Sequence, residues 1–129
     1  MKRRALLFAV APAVLLPGAA QALQDLKVVY IGGLDCPPCR RWKQASLPDW
    51  LASPEYRRVA WIEVEAPKLR EAYQERYWPG DLRPILDQLP RRGGTPRFLI
   101  VKDGRVVANE FGSSKWTAIV TELKNLLGE

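Results

Sequence analysis

Two cysteines three positions apart, at the end of a β-rich run, constrain this chain more than any other feature. Cys36 and Cys39 are the only cysteines among its 129 residues. Residues 26–31 (LKVVYI), just before them, have the β-branched and aromatic composition of a buried strand, which the next two glycines are expected to end. The residues after them, through position 45, have helical composition, and two prolines are tolerated in a first helical turn. The sequence therefore predicts a strand, a cysteine pair and a helix in direct succession.

A Cys-x-x-Cys pair at a helix N-terminus has a clear chemical use. The unpaired N–H groups and the positive end of the helix dipole stabilise a thiolate on the first sulfur, and the thiolate is the species that attacks disulfides. The second cysteine lies on the same turn, where it can release a mixed disulfide. The sequence predicts Cys36 as the nucleophile and Cys39 as the resolving thiol. Their redox-active disulfide would serve with no other cofactor and no metal.

Two other uses of the cysteine pair are disfavoured. A structural zinc site needs four ligands, and the chain offers neither a histidine nor a third cysteine. An inert structural disulfide stabilises little at this spacing, because the loop that it closes is very short and stabilisation grows with loop length. Redox chemistry is the use that the spacing favours.

The absence of histidine and the modest charge exclude further classes of function. Without an imidazole, the chain cannot hold a Ser-His-Asp or Cys-His catalytic pair or a histidine-ligated metal. Its net charge is +6, and three of its 20 Lys and Arg residues are Lys2, Arg3 and Arg4. The remaining excess is too small and too scattered to indicate a nucleic-acid-binding protein.

The first 22 residues have the pattern of an export signal. A basic start precedes an apolar run over 5–16, and Ala20-Gln21-Ala22 matches the A-x-A cleavage rule. The apolar run is shorter than the roughly 20 residues that span a bilayer; an uncleaved membrane anchor is the alternative. The sequence predicts a signal peptide at 1–22, one domain at 23–129 and, in a bacterium, a periplasmic location where disulfides persist.

The rest of the chain alternates strand and helix patterns. Strands are predicted at 59–64, 97–101 and 105–108, the last two as a hairpin around Asp103-Gly104, and helices at 68–77, at 81–89 and after a cap at Ser113 or Ser114. The last helix carries its apolar residues, including Trp116, on one face. The order β, α, β, α-rich segment, β, β, α predicts an α/β fold, a small mixed sheet with helices on both faces.

The chain resembles the thioredoxin-like superfamily over nearly all of residues 26–127. The resemblance rests on the strand, the Cys36-Pro37-Pro38-Cys39 motif with its helix, and a later Thr-Pro ahead of the hairpin and the terminal helix. Within the superfamily, the chain is most similar to exported bacterial thiol-disulfide oxidoreductases. The resemblance implies the thioredoxin fold, a central mixed sheet flanked by helices, and it implies that enzyme activity.

The resemblance also implies roles for Thr95 and Pro96. In this family a cis-proline lies against the cysteine pair, and the residue before it offers backbone hydrogen bonds to the bound substrate chain. Both residues are therefore implied to bind substrate. Taken alone, the residues favour a trans proline that opens an edge strand, although an X-Pro bond in a Gly-rich loop can be cis at modest cost.

Two departures from the family pattern concern the approach to the site. Leu34-Asp35 stands where the family frequently has a tryptophan before the first cysteine. Residues 66–94 exceed what a minimal thioredoxin needs by roughly one helix of typical length. The sequence therefore predicts an extra helical segment before the Pro96 loop.

A third departure concerns proton transfer to the resolving cysteine. Tyr30 is in the place closest to the family's buried aspartate. The proton would then come from water or from another acid, such as Glu63 or Glu65. Trp42, one turn beyond the second cysteine, would either shield that thiol or belong to the core.

Aromatic and basic residues outside the motif have two interpretations each. Tyr73, Tyr77 and Trp78 would form a ledge for a partner near the cysteines or, as aromatic residues more often do, pack the extra segment onto the core. Arg91-Arg92 would steer acidic partners or, more commonly, form a solvated loop.

The surroundings of the motif favour a mildly reducing pair over a strong oxidant. Pro37 and Pro38 lack an N–H group, so the Cys39 amide is the first that can reach the Cys36 sulfur. Asp35 adds a like charge beside that sulfur and disfavours the thiolate, whereas exposed arginines are screened by salt.

The predicted partners follow from this direction of electron flow. A reductase in an oxidising compartment needs electrons, which the family takes from a membrane thiol-disulfide relay. The substrates would be exported proteins with disulfides or thiols, and the chain is expected to be a monomer.

Two alternatives from other classes stay open. A metallochaperone would bind Cu(I), a soft ion that accepts two sulfur ligands, although family members that handle copper usually add a histidine. A redox-inert adaptor of the same fold would recognise a partner through its aromatic segment.

Overall fold

The computed structural model describes residues 25–90 and 92–129. The predicted signal peptide at 1–22 therefore lies outside the described residues, as does Arg91. Within this described part of the chain, no helix combines the length and the apolar character needed to cross a membrane.

Strands and helices alternate through the described residues. The strands are β1 (Leu26–Gly33), β2 (Ala60–Ala66), β3 (Arg97–Lys102) and β4 (Arg105–Phe111). The α-helices are α1 (Pro37–Ala45), α2 (Leu47–Ala52), α3 (Arg83–Asp87) and α4 (Trp116–Leu126). Short 3-10 turns lie between them at Tyr56–Arg58, Leu69–Glu71, Glu75–Tyr77, Gly80–Leu82 and Ser113–Lys115.

The four strands form one mixed sheet in the order β2-β1-β3-β4. The β1–β2 pair is parallel and is connected through α1 and α2, whereas β3 is antiparallel to both β1 and β4. At the end of β1, Ile31 is opposite Arg97 and Gly33 is opposite Ala66. The predicted mixed sheet is confirmed, and the carboxyl ends of β1 and β2 lie together at one edge.

The sheet separates two apolar cores, because alternate residues of β1 point to opposite faces. Val28 and Tyr30 lie in one core with residues of α1, α2 and α4. Val29 and Ile31 lie in the other core with the segment between β2 and β3. Both faces are therefore covered, as the alternation of elements predicted.

Aromatic rings hold α1 against the sheet. The Trp42 ring is buried and stacks on Tyr30 with ring centroids 5.0 Å apart and an interplanar angle of 13°. Trp116 of α4 meets the Trp42 ring edge-on at 5.1 Å. Pairs of this kind each contribute about 0.5–1.5 kcal/mol beyond their burial. Trp42 is thus a core residue, and its packing fixes the helix that carries the cysteines.

The predicted continuous helix over 68–77 is wrong. The segment forms two separate 3-10 turns instead, at Leu69–Glu71 and Glu75–Tyr77. Its aromatic side chains make tertiary contacts in place of a helical ladder, and the buried Trp78 Nε1 donates to the Ala72 carbonyl at 2.8 Å. The extra segment is therefore helical only in short turns and in the five residues of α3.

The prediction that Gly32-Gly33 ends the first strand is also wrong. Both glycines continue β1 and pair with Glu65 and Ala66 of β2. A Cβ atom at Gly33 would lie 2.5 Å from both the Cα and the N of Leu69. The glycine is needed because the backbone after β2 crosses close over the end of β1.

The expected cap at Ser113 or Ser114 does not form. These residues lie in a 3-10 turn, and α4 begins at Trp116 with no side-chain cap hydrogen bond. The buried residues of α4 are Trp116, Ile119 and Leu123, so the apolar face positions this helix without the serine cap.

We predict that Gly33→Ala lowers the free energy of unfolding by about 1–3 kcal/mol, as overpacking of a closed site does. Gly80→Ala is the matched control, because a Cβ atom there meets nothing within 4 Å. Urea unfolding of both variants measures the difference. Equal midpoints would show that the crossing over Gly33 is not tight.

Candidate active site

Cys36 and Cys39 lie where β1 gives way to α1. Two backbone hydrogen bonds close the turn between them, Leu34 N to the Ala66 carbonyl at 2.9 Å and Cys36 N to the Gly33 carbonyl at 3.2 Å. The two cysteines are joined in a disulfide, with Cα atoms 5.2 Å apart. Both residues are about 1% exposed, so their sulfurs lie beneath the surface.

The Cys36 sulfur accepts two hydrogen bonds. Cys36 is the N-cap residue of α1, and its Sγ accepts from the Cys39 N–H at 3.2 Å. The Thr95 hydroxyl donates to the same Sγ at 3.3 Å. Because the two intervening prolines carry no N–H, the Cys39 amide is the first in the helix that can reach the sulfur. After reduction, both donors would stabilise negative charge on Cys36.

Thr95 reaches the cysteines from the loop before β3. The Thr95–Pro96 peptide bond is cis, the isomer that the resemblance implies, and Pro96 is buried. The Pro96 carbonyl accepts from the Gly112 N–H at 2.8 Å, which ties the loop to the end of β4. The structure therefore brings Thr95 to Cys36 through its side chain, a contact that the sequence did not predict.

A group of three residues, Tyr73, Arg97 and Phe111, holds this loop in place; we call it the loop anchor. The Tyr73 hydroxyl donates to the Gly94 carbonyl at 2.6 Å. The Arg97 guanidinium lies 5.5 Å from the Tyr73 ring centroid and 4.2 Å from that of Phe111. The extra segment, which supplies Tyr73, thus supports the loop that carries Thr95.

A hydrogen bond and a close backbone approach further stabilise the loop anchor. Arg97 is fully buried, and its Nε donates to the Asn109 side chain at 2.8 Å. Gly94 has φ +85, and a Cβ atom there would lie 2.9 Å from the Phe111 ring. Sequence reasoning missed Arg97; the available signal was a charged residue that opens an otherwise apolar strand directly after the proline.

Tyr30 lies beneath Cys39, the predicted resolving cysteine. A Cβ atom on Gly32 would overlap the Tyr30 hydroxyl and would also lie 3.1 Å from the Cys39 sulfur, so hydroxyl and sulfur share one small space. Burial, reinforced by the nearby carboxylates of Glu65 and Glu63, raises the pKa of Tyr30 above its usual range. Tyr30 therefore stays protonated, so it cannot act as a base near neutral pH.

The acids named for proton transfer are held by a lysine. Lys43 Nζ donates to both Glu65 carboxylate oxygens, at 2.6 and 2.7 Å, and lies 3.9 Å from Glu63. The same ammonium lies 5.2 Å from the Tyr30 ring centroid. A proton route from Glu63 or Glu65 to Cys39 stays a prediction.

In the extra segment, Tyr77 and Trp78 pack against the protein, whereas Arg92 is exposed to solvent. Trp78 is buried and Tyr77 half-buried, which agrees with the packing interpretation. Arg92 is exposed and pairs with Asp87 at 3.3 Å. Asp35 is engaged as well, since its Oδ1 accepts from the Leu69 N–H at 2.6 Å.

Solved structures of known proteins share this architecture. No protein-family model matches the chain, and no curated protein matches it. Thioredoxin f2 of Chlamydomonas reinhardtii superposes with a TM-score of 0.55 at 18% identity, covering 84% of this chain and 85% of that one. The reduced periplasmic thioredoxin SoxS of Paracoccus pantotrophus gives 0.55 at 19% identity, covering 80% and 96%. The chain has the thioredoxin fold.

The thioredoxin fold extends over the described sheet and helices. A thioredoxin of Fasciola hepatica also superposes, with a TM-score of 0.52 at 20% identity, covering 84% of this chain and 91% of that one. Within the thioredoxin fold, the cysteine pair of this chain stands at the junction of β1 and α1, with the Thr95–Pro96 bond beside it.

We predict that Tyr73→Phe loosens the Thr95 loop, because it removes the hydrogen bond to the Gly94 carbonyl. The free energy of unfolding should fall by about 1 kcal/mol, and the Gly94 and Thr95 amides should exchange hydrogen faster. Tyr77→Phe is the control, since the Tyr77 hydroxyl bonds Glu71 at 3.3 Å and lies outside the loop anchor. Equal exchange at Gly94 and Thr95 in both variants would contradict the anchoring role.

We predict that Tyr30 makes the free energy of unfolding fall as the pH rises above about 10. The pKa of Tyr30 is raised in the folded state, so the folded state keeps a proton that the unfolded state releases. The stabilisation is complete below the unfolded pKa and is lost as pH rises through the folded pKa. Urea unfolding at pH 8 to 11 measures the decline. Tyr30→Phe should make it shallower, and an unchanged slope in that variant would contradict the assignment.

Proposed function

We propose that this protein is a periplasmic thiol-disulfide oxidoreductase that reduces disulfides of exported proteins. The observation that carries the proposal is the pair of hydrogen bonds that the Cys36 sulfur accepts at the start of α1, from the Cys39 N–H and the Thr95 hydroxyl. Donors aimed at one sulfur of the pair select which thiolate forms. The thioredoxin fold of the chain supports the same function.

The reaction passes two electrons from the cysteine pair to the substrate. The Cys36 thiolate attacks a substrate disulfide and forms a mixed disulfide, and the displaced substrate thiolate takes up a proton. Cys39, after losing its proton, attacks the Cys36 sulfur. This step forms the Cys36–Cys39 disulfide and releases the second substrate thiol. The cysteine pair is oxidised and the substrate disulfide is reduced.

Thr95 and Pro96 would hold the substrate chain beside Cys36. The Thr95 hydroxyl already touches the sulfur, so a chain in mixed disulfide with Cys36 would run alongside this loop. The loop anchor keeps Thr95 in that position through Gly94. Substrate binding therefore depends on residues that are far from the cysteines in sequence.

The direction of the reaction follows from what stabilises the Cys36 thiolate. Its donors are one amide and one hydroxyl, both neutral, and the chain has no histidine to add a charged donor. A thiolate held only by neutral donors is stabilised less than one next to a cation. The pair is therefore a reductant, and in an oxidising compartment a membrane thiol-disulfide donor would have to return it to the dithiol state.

The location and the chain boundaries rest on the N-terminal sequence. A basic start, an apolar run and an A-x-A site support cleavage after Ala22, which leaves the domain 23–129 in the periplasm. The periplasmic SoxS among the structural neighbours supports the same location. We propose that the mature protein acts there as a monomer.

We predict that Cys39→Ser traps the substrate on Cys36, because the mixed disulfide then lacks its resolving thiol. Cys36→Ser is the matched control, and it should form no such adduct. Non-reducing gels and mass spectrometry of each variant after incubation with a disulfide substrate measure the adduct. Both variants should lose turnover of the disulfide while keeping the urea midpoint of the reduced wild-type protein.

Two outcomes would count against the proposed function. If the Cys39→Ser variant folds but forms no adduct, Cys36 is not the nucleophile. An adduct that forms on Cys39 in the Cys36→Ser variant, and not on Cys36, would reverse the roles of the two cysteines.

A further inference from the structure

Apolar side chains are exposed around the cysteine pair. Leu34, two residues before Cys36, is 60% exposed. Leu69 is 39% exposed, and its backbone N–H bonds Asp35 beside the motif. Phe111 is 38% exposed and lies against the Gly94 position of the Thr95 loop. Three large apolar side chains are thus exposed on segments that adjoin the cysteine pair, where burying them against a partner would be favourable.

Basic side chains stand at the same edge of the sheet. Lys68 and Arg70 line one surface depression together with Asp35 and Leu69. Arg40 lies one helical turn after Cys36, and its N–H bonds the Cys36 carbonyl at 3.1 Å. All three cations are exposed, and among the described residues none of them forms an ion pair. The rim of the site, which comprises Arg40, Lys68, Arg70 and Asp35, therefore carries an excess of positive charge.

The acids near this rim offset only part of its charge. Asp35, whose Oδ1 accepts from the Leu69 N–H, keeps its negative charge and offsets one of the three cations. Glu71, which directly follows Arg70 in the chain, pairs with Arg76 at 3.6 Å and accepts from the Tyr77 hydroxyl. By contrast, Lys43 of α1 and Lys124 of α4 each pair with a glutamate.

We infer that this rim selects disulfides that lie in acidic segments with apolar residues next to the cysteine. The inference rests on the proposed function and names the class of its substrate. The positive charges of Lys68, Arg70 and Arg40 would attract the carboxylates of the substrate (the client below), and this attraction raises the rate of encounter. Apolar neighbours of the client cysteine would pack on Leu34, Leu69 and Phe111, while the cis-Pro96 loop lies alongside.

A polypeptide fits this surface better than a nucleic acid or an anionic membrane. The three cations lie on segments next to a buried disulfide and to exposed apolar side chains, and they do not form a long run of basic residues. A disulfide-bearing client uses all three features at once: charge, apolar area and a reactive sulfur. A nucleic acid or an anionic membrane would interact only with the positive charge.

The test compares three peptides of equal length, each with one internal disulfide that is flanked by leucine. The remaining flanking residues are glutamate in the first peptide, glutamine in the second and lysine in the third. Because charge alters the intrinsic reactivity of a disulfide, each rate with the reduced protein is divided by the rate with dithiothreitol. The normalised rate should be about tenfold higher for the glutamate peptide than for the lysine peptide at low salt. The ratio should approach one near 0.5 M NaCl, because salt screens the charges.

Charge reversal at the rim is the second arm of the test. Lys68→Glu with Arg70→Glu should remove or invert the preference for the glutamate peptide. Lys102→Glu with Arg105→Glu changes the net charge equally at the opposite end of the sheet, where Lys102 pairs with Leu26 at the start of β1. This control should keep the preference. Reading the ratio of peptides, and not the absolute rate, cancels any effect of a variant on the cysteines themselves.

The possible outcomes separate the inference from the function on which it rests. Equal normalised rates for all three peptides, with the disulfides reduced, would overturn the selectivity and leave the proposed function intact. Equal loss of preference in both charge-reversal variants would show that net charge acts, and not the rim. Reduction of none of the peptides, with no adduct on Cys39→Ser, would overturn the proposed function and the selectivity together.

Discussion

The hydrogen bonds to the Cys36 sulfur are the interactions on which the rest of the site depends. One donor, the Cys39 amide, is supplied by the start of α1, and the other, the Thr95 hydroxyl, comes from a loop 59 residues later. The first forms because Cys36 is the N-cap residue of α1, and the two prolines leave no earlier N–H in the helix to compete for its sulfur. The second exists only if the loop before β3 is held against the helix. The chemistry of Cys36 therefore couples a local feature of sequence to the tertiary fold.

The tertiary fold meets that requirement from both faces of the sheet. On one face, Trp42 stacks on Tyr30 and fixes the helix that carries the cysteines. On the other face, Tyr73 and Arg97 hold the loop that carries Thr95. The extra segment at 66–94, longer than a minimal thioredoxin fold requires, thus contributes to the site by supporting the loop that carries Thr95. Gly33 completes the arrangement by letting that segment cross close over the end of β1.

Local signals in the sequence predicted the order of strands and helices, whereas tertiary contacts determine the extra segment and the surroundings of Cys36. The hairpin was visible because Asp103 and Gly104 suit its turn, and both adopt positive φ, at 51° and 77°. The helix predicted at 68–77 fails because Trp78 bonds the Ala72 carbonyl and the chain breaks into turns. The role of Arg97 was missed because its partners, the Tyr73 and Phe111 rings and the Asn109 side chain, are distant in sequence, although its place at the start of an apolar strand was a signal. The Thr95 contact with Cys36 joins residues whose proximity no local pattern reports.

We propose that the neutral donors to the Cys36 sulfur leave the cysteine pair of this thioredoxin fold a reductant. The most direct test is the reduction potential of the Cys36–Cys39 pair, measured by equilibration in glutathione and dithiothreitol buffers with thiol alkylation as the readout. A pair stabilised only by neutral donors should have a potential near that of thioredoxin, about −270 mV. A value near −120 mV would contradict it, since the Cys36 thiolate would then be stabilised as strongly as in a disulfide-forming oxidant.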